Sequence, residues 1–438
     1  MPRVRWAAAR WRTAALALFV ISVAARLAVT WVSGGDFVDL HVYVEGGASL
    51  TDGSLYSFFY QVPPMTLPFT YPPFAAIVFY PLHLLPFGVV GFCWQAGIIA
   101  ALYGSVVIAL KLIGRHNTSA ALAVTAVAIW TEPLRGDFLW GQIGVLLMFV
   151  TLWAVYSKRW WLSGLLVGLA AGVKLTPAVT GLYLLGERRW RAAIFTSLVF
   201  SATVLVAWPF VGWNTVSRYF TTTVLDSHRI GSMGDFGNQS LRAALARIAG
   251  HDIGSAVYIA VAAAALLSFF AWRVITSTDG DHRDRLGAVL VIQLFGLMAE
   301  PVSWTHHWVW LVPLVLWLGF GPLCRVRGAR TLAAVWSLII VVQIPSLLIL
   351  AQTQPWQIAA PWYLAWPAAI YAAMSLMTLG WIAVTPRRAG SPARSALRTC
   401  SKEPAGWPAS CSRRGSRRRD SSRSASRTAT AGSRRSWS

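Results

Sequence analysis

The sequence predicts an all-α polytopic membrane protein with about twelve transmembrane helices and a large outer loop after the first of them. Three observations carry that reading. Of 438 residues, 56% are hydrophobic and only 12% charged, where an ordinary soluble domain is about a quarter charged. Apolar runs near the ~20 residues that a helix needs to cross a bilayer recur along the chain. The basic residues between those runs gather in short clusters, as the positive-inside rule expects. This balance excludes a soluble globular chain and a disordered one.

The formal net charge of +22 divides unevenly. Residues 386–438 carry 14 basic and 2 acidic residues, a net of +12, which leaves +10 for residues 1–385. The body's basic residues sit in short loops between apolar runs, so no nucleic-acid partner is expected for it. The Ser/Arg/Pro-rich end, 386–438, cannot bury a core and reads as a disordered cytoplasmic tail. Binding of anionic lipid or RNA by that tail is the alternative. Cys93, Cys324, Cys400 and Cys411 show no C-x-x-C spacing, so neither a zinc site nor a disulfide framework is expected.

The elements follow in order. Arg3, Arg5, Arg10 and Arg12 precede an apolar run over 13–32. That run is too long for a cleaved signal peptide and reads as a first helix with a cytoplasmic N-terminus. Basic loops at 111–116, 157–159, 187–191, 273–285 and 324–330 mark the cytoplasmic side. Residues 34–70, 131–138, 213–253, 300–307 and 351–362 then face outside. Parity decides two places. Residues 71–110 must cross an odd number of times. Pro72, Pro73, Pro81 and Pro86 break the first part. Residues 72–86 therefore read as a juxtamembrane or re-entrant piece, with the crossing at 89–110. Residues 160–185 lie between two basic loops and must cross an even number of times. The KLTP break at 174–177 divides them into two short helices that meet near Lys174. Broken backbone at membrane depth needs protein or a wet cavity beside it. The predicted crossings are 13–32, 89–110, 119–132, 138–156, 160–174, 177–186, 191–211, 254–275, 286–300, 306–320, 330–350 and 363–384. Both termini are then cytoplasmic.

Candidate chemistry crowds the outer segments. FVDLHVYVEGGASL carries Asp39, His41 and Glu45, with Asp36 just before. Asp39 lies within a hydrophobic sequence, and partial desolvation makes a carboxylate a better general base. Asp36 and Glu45 read as solvated loop acids. TEPLRGDFLWGQ holds Glu132, Arg135, Asp137 and Gln142. Arg135 suits an anionic phosphate through its bidentate fork, and Gln142 suits a sugar hydroxyl. An ion pair at a helix turn is the structural alternative. Lys174 interrupts an apolar segment, where an unsatisfied cation costs roughly 2.5–3.5 kcal/mol. A lipid-linked phosphate or snorkelling would satisfy it. Arg26, close to the outer end of the first helix, is expected to snorkel. Asn238, in GDFGNQSLR, is a candidate sugar contact. AEPVSWTHHWVW places His306 and His307 among tryptophans. One of the two is expected to touch phosphate or sugar; an interfacial aromatic belt is the alternative. Adjacent histidines on a helix do not share a face, and no HExxH is present, so no metal is expected.

Taken together, FVDLHVYVEGGASL, LPFTYPPFAAIVFYPLHLLPFG, WWLSGLLVGLAAGVKLTPAVT and PVSWTHHWVWLVPLVLWL resemble the GT-C membrane glycosyltransferases. Within them the chain resembles the mycobacterial polyprenol-phosphate-mannose-dependent α-(1→2)-mannosyltransferases of phosphatidylinositol mannoside synthesis. The resemblance spans residues 13–385, and the tail after Pro386 departs from the ending expected of that family. The resemblance implies the GT-C fold over 1–385 and periplasmic catalysis. It implies a polyprenol-phosphate-mannose donor and a phosphatidylinositol mannoside acceptor that receives its fifth mannose. It also implies an essential Asp after the first helix, to which Asp39 corresponds. His41, Arg135, Gln142, Lys174, Asn238, His306 and His307 are then the candidates for donor phosphate or sugar. A donor with one phosphate needs no metal in principle, so no cofactor is expected. The alternatives are a lipid or sugar transporter, for which no inverted repeat is found, a structural membrane scaffold, and a related mannosyltransferase of lipomannan or lipoarabinomannan.

Overall fold

The apolar runs fold as helices in the order in which the sequence presents them. The structure, a computed structural model, describes residues 2–32, 34–62, 65–226, 229, 231–277 and 283–386. The tail expected over 386–438 lies, apart from Pro386, outside the described residues. From Arg10 onward the body of the chain forms one compact unit.

Among the described residues five helices are long and apolar enough to cross a membrane: α1 (Pro2–Val32, apolar from Arg10), α4 (Phe87–Leu112), α10 (Trp190–Val211), α13 (Ala256–Ile275) and the helical end of the body, Trp362–Val384. That end comprises α18 (Trp362–Ala365) and α19 (Ile370–Val384). Counting each of two bent pairs as one span gives seven. α6 (Glu132–Trp140) meets α7 (Gly144–Tyr156) at 118°, and α16 (Ala329–Val342) meets α17 (Ile344–Ala351) at 44°. The other predicted crossings appear as shorter helices: α5 (Thr118–Ala128), α8 (Trp160–Val173), α9 (Thr180–Gly186), α14 (Arg285–Ala299) and α15 (Leu311–Phe320). The chain is thus a mostly helical, multi-pass membrane protein.

Among the described residues, several elements in the segments predicted to face outside do not show in the apolar pattern, α11 (Trp213–Thr221) and three others among them. The first of these three is α2 (Val38–Ala48), which carries Asp39 in its first turn. The second is an antiparallel hairpin of β1 (Phe59–Val62) and β2 (Met65–Pro68), with Phe59 opposite Pro68. The third is α12 (Leu241–Ala249), capped by the Ser240 hydroxyl on the Ala243 amide. The proline-rich piece after β2 folds as α3 (Pro73–Phe79) and a 3-10 turn over Tyr80–Leu84. Proline at an N-terminal helical position loses no hydrogen bond there, so this sequence starts helices and also keeps them short.

Small residues set the closest packing. Gly164, Gly168 and Gly172 repeat every four residues on α8, and that stripe lies against α10. A β-carbon at Gly164 would sit 2.8 Å from the Ala192 carbonyl oxygen, and one at Gly168 would sit 2.8 Å from that of Thr196. Small-xxx-small faces bring membrane helices together in this way. One apolar cluster joins α4, α7, α14, α15 and α19 around Trp308, Trp317 and Trp336. A second, around Leu40, Tyr43, Phe69 and Phe79, holds α2 and α3 against α4 and α7.

Candidate active site

The position of Asp39 is set by how α2 begins. Phe37, its N-cap, is left-handed (φ 41°, ψ 37°), a conformation that costs a bulky residue about 1–2 kcal/mol. It is held there by its amide bonded to the Leu139 carbonyl at 3.1 Å and by a buried ring. The start of α2 is thereby docked on the turn between α6 and α7. Gln142, in that turn, lies beside the Asp39 carboxylate, where its side chain favours the ionised form. Its Oε1 accepts the Tyr43 hydroxyl at 3.1 Å. Tyr43 also meets the Tyr71 hydroxyl at 2.7 Å, and the Tyr71 ring lies 5.3 Å from Lys174 Nζ. A series of contacts through Gln142, Tyr43 and the Tyr71 ring therefore leads from beside Asp39 to Lys174.

Lys174 sits where α8 ends. Its backbone is extended (φ −146°, ψ 134°), and a 3-10 turn over Thr176–Val179 leads into α9. The predicted helix break is present, and it turns the ammonium toward protein instead of toward lipid. Lys174 Nζ lies 3.3 Å from His307 Nε2, and His307 Nδ1 lies 3.5 Å from Glu300 Oε2. All three side chains line one cavity between α7, α14 and the 3-10 segment Thr305–Trp310, beside Thr151, Thr176 and Gln293.

The His-bearing segment is placed by a loop it does not belong to. Asn238 and Trp304 form an isolated antiparallel bridge. The Gln239 amide donates to the Ser303 carbonyl at 2.7 Å, and the Thr305 amide to the Gly237 carbonyl at 3.0 Å. Asn238 Oδ1 accepts the Ser303 amide at 3.0 Å and the Ser240 amide at 3.2 Å. Beneath this loop the buried Arg247 donates to the carbonyls of Met233, Asp235, Asn238 and Ala368.

Electrostatics separate the two ends of the cluster. Burial pushes the Asp39 carboxyl up to about 6, against the pull of the Gln142 amide and the Lys174 charge. A carboxylate so poised is still ionised at neutral pH and is a stronger base than a solvated one. Asp137, fully buried in α6, accepts the Val145 amide through Oδ1 at 3.1 Å and has no partner for Oδ2. The arrangement can take up a proton at one end and neutralise an anion at the other.

Of the residues singled out by sequence, the fold gathers Asp39, Gln142, Lys174 and His307. His306 is adjacent, packed edge-on against Trp140, with neither ring nitrogen bonded. The others lie apart. His41 is stacked between Tyr60 and Phe87. Arg135 is exposed and donates to the Ser346 hydroxyl at 3.2 Å. Asn238 is fully buried, its side-chain oxygen taken by the Ser303 and Ser240 amides and its amide nitrogen by the Ser232 carbonyl, so no polar atom of it is left for a sugar. Glu132 is buried and bonded to Ser346 and Tyr371 rather than to Arg135. Arg26 does not snorkel. It is buried against the rings of Trp130 and Phe138 and donates to the Arg135 carbonyl at 3.2 Å. Cation–π contact meets its charge inside the protein. Sequence reasoning gives no role to Tyr43, Tyr71 or Arg247: Tyr43 stands one helical turn from Asp39 on α2, a segment that reads from sequence as loop, and the partners of Tyr71 and Arg247 show only in the fold. Among the described residues no three His, Cys, Asp or Glu side chains converge as metal ligands.

A mostly helical membrane chain with a buried carboxylate and a Lys–His pair facing one cavity fits the class of membrane-bound transferases. The sequence profile of glycosyltransferase family 87 matches residues 69–301, and the chain belongs to that family. It is 53% identical over 393 residues to the polyprenol-phosphate-mannose-dependent alpha-(1-2)-phosphatidylinositol pentamannoside mannosyltransferase of Mycolicibacterium smegmatis, covering 88% of this chain and 94% of that one. It is 52% identical to the protein of the same name from Mycobacterium tuberculosis, covering 88% and 90%. It is 31% identical to the polyprenol-phosphate-mannose-dependent alpha-(1-2)-phosphatidylinositol mannoside mannosyltransferase of Mycobacterium tuberculosis, covering 84% and 89%. No solved structure matches the chain. The protein is a glycosyltransferase, so the transporter and scaffold readings fall.

Proposed function

We propose that the protein is an inverting α-(1→2)-mannosyltransferase. It moves mannose from polyprenol-phosphate-mannose to a phosphatidylinositol mannoside and adds the fifth mannose on the periplasmic face. The names of the similar proteins support the donor and the acceptor class. The observation that carries the chemistry is Asp39, a half-buried carboxylate beside Gln142 and within the field of Lys174.

Asp39 removes the proton of the acceptor hydroxyl as its oxygen attacks the anomeric carbon. The bond from that carbon to the phosphate oxygen breaks on the opposite face, and the donor's phosphodiester leaves as a phosphomonoester with one more negative charge. Lys174 and His307 meet that growing charge at the other end of the cleft, where charge stabilisation is worth most. A β-linked donor then gives an α-linked product with a single base, unlike the two close carboxylates of a retaining enzyme. Gln142 orients the base. No metal takes part, since an ammonium suffices for one phosphate.

Topology supports the same reading. Asp39, Gln142, Lys174, Glu300 and His307 all come from segments or helix ends that charge bias assigns to the outside, and the fold gathers them. Twelve crossings with both termini cytoplasmic remain our proposed arrangement of the helices, with membrane lipids around them. The test is transfer of radiolabelled mannose from polyprenol-phosphate-mannose by purified protein. Tetramannosylated and pentamannosylated phosphatidylinositol and a lipomannan fragment are offered in parallel. An α-(1→2)-linked product from the tetramannosylated lipid supports the reading. Transfer to the lipomannan fragment alone, or a product with retained configuration, overturns it.

A further inference from the structure

Lys174, His307 and Glu300 follow one another along one cavity. Glu300 is the residue after α14. Its side chain is 20% exposed and lines the cavity that Lys174 and His307 also face. Lys174 lies in the fields of three carboxylates, Glu300, Asp39 and Asp137. Among the described residues none of them is within ion-pair distance of it. The nearest polar group to the ammonium is instead an imidazole nitrogen, His307 Nε2, at 3.3 Å. The imidazole is interposed between cation and carboxylate, and this separation decides what the array can do. A direct Lys–Glu pair would neutralise the ammonium and leave little for an anion. With the ring between them, the Lys174 ammonium spends one of its three donors on Nε2 and has two left for an anion.

For Nε2 to accept from an ammonium, the ring proton must be on Nδ1. His307 Nδ1 has no hydrogen-bond partner in this arrangement, and the carboxylate oxygen facing it is Glu300 Oε2 at 3.5 Å. Such contacts are often long without substrate and tighten when it binds.

We propose that Glu300 is a positioning residue for the donor phosphate. It holds His307 in the tautomer and orientation that aim the Lys174 ammonium at the phosphate. This rests on the phosphate role proposed for Lys174. It predicts an effect of the opposite sign from simple electrostatics, because deleting a carboxylate near an anion site should by itself strengthen anion binding.

The test uses the full chain in detergent and farnesyl phosphate, a short polyprenyl phosphate without sugar. Glu300→Gln should weaken binding of farnesyl phosphate about tenfold and raise the KM for donor by a similar factor, with the KM for acceptor unchanged. Combining it with His307→Ala should weaken binding no further than His307→Ala alone, since one acts through the other. Equal or tighter binding by Glu300→Gln overturns the proposal, as do fully additive effects or a wild-type protein that does not bind the probe. If Glu300→Gln does not purify as a folded species, Glu300→Asp carries the same comparison. A wild-type protein that binds farnesyl phosphate but transfers no mannose overturns the mannosyltransferase reading and leaves this one to be decided by the binding series.

Discussion

In the proposed mechanism Asp39 and Lys174 divide the chemistry at the scale of single residues, and each makes a separable prediction. Asp39→Asn keeps the shape but removes the carboxylate proposed as the base. Turnover should fall roughly 10²–10⁴-fold, or ~3–5 kcal/mol in barrier. Asp36→Asn and Glu45→Gln, measured in the same transfer assay, should be far milder; a dead Asp36→Asn beside an active Asp39→Asn would reassign the base. The Asp39 carboxyl is pushed up to about 6 by burial, so wild-type kcat/KM should rise tenfold per pH unit below that value and level off above it. The same shift has a cost in stability. A raised carboxyl pKa favours the folded state below the unfolded value near 4, and that advantage is lost as pH rises through 6. Asp39→Asn should therefore melt higher than wild type at pH 7. An unchanged or lower Tm would mean that the site does not strain its carboxylate. Lys174→Ala should raise the donor KM roughly 10- to 100-fold, the worth of a hydrogen bond to a charged group. The acceptor KM should hardly move. Wild-type activity at limiting donor would remove Lys174 from the phosphate site.

At the scale of elements, α2 holds its carboxylate only because it packs unusually close to its neighbours. Gly47 faces the backbone of the turn after α3, where a β-carbon would lie 2.8 Å from the Phe79 carbonyl carbon and 2.9 Å from the Tyr80 amide nitrogen. Backbone cannot swing aside as a side chain can. Gly47→Ala should cost about 1–3 kcal/mol through overpacking and should tilt α2, lowering Tm and turnover together. A variant with normal turnover would show that Asp39 tolerates movement of its helix. The 300–310 segment is held in a comparable way, from outside itself, by Asn238 and the loop over Arg247. The motif suggests a sugar ligand at Asn238 because an amide in a glycine-rich loop suits a sugar. Its actual partners are amides of Ser240 and Ser303, and one of those lies more than sixty positions away in sequence.

For the whole molecule, every residue of the proposed site falls between Asp39 and His307, so the chain after Thr385 should be dispensable for chemistry. A truncation after Thr385 that inserts normally should keep wild-type kcat and KM, and loss of turnover by such a protein would give the tail a role. Treatment with EDTA should likewise leave transfer unchanged; restoration of a lost activity by a divalent cation would bring a metal into the mechanism.

Composition and charge bias by themselves determined that the chain is a helical membrane protein, where its long apolar helices lie, and that α8 breaks at Lys174. These are local properties: a run of apolar residues must be helical in lipid because its backbone can satisfy itself in no other way. The motif around Asp39 was likewise legible, since a carboxylate inside a hydrophobic sequence stands out without any fold. What the tertiary structure decided is which polar residues meet. Gln142, Tyr71 and Glu300 come from three separate loops, and nothing in their spacing relates them to Asp39 or Lys174; Tyr43 alone stands one helical turn from Asp39, on α2. Arg26 and Asn238 carried the same polar signal in sequence, yet Arg26 is spent on two aromatic rings and a carbonyl and Asn238 on loop amides. A polar side chain in an apolar chain must find a partner. The sequence announces the need, but only packing over long separations chooses between an internal partner and a substrate.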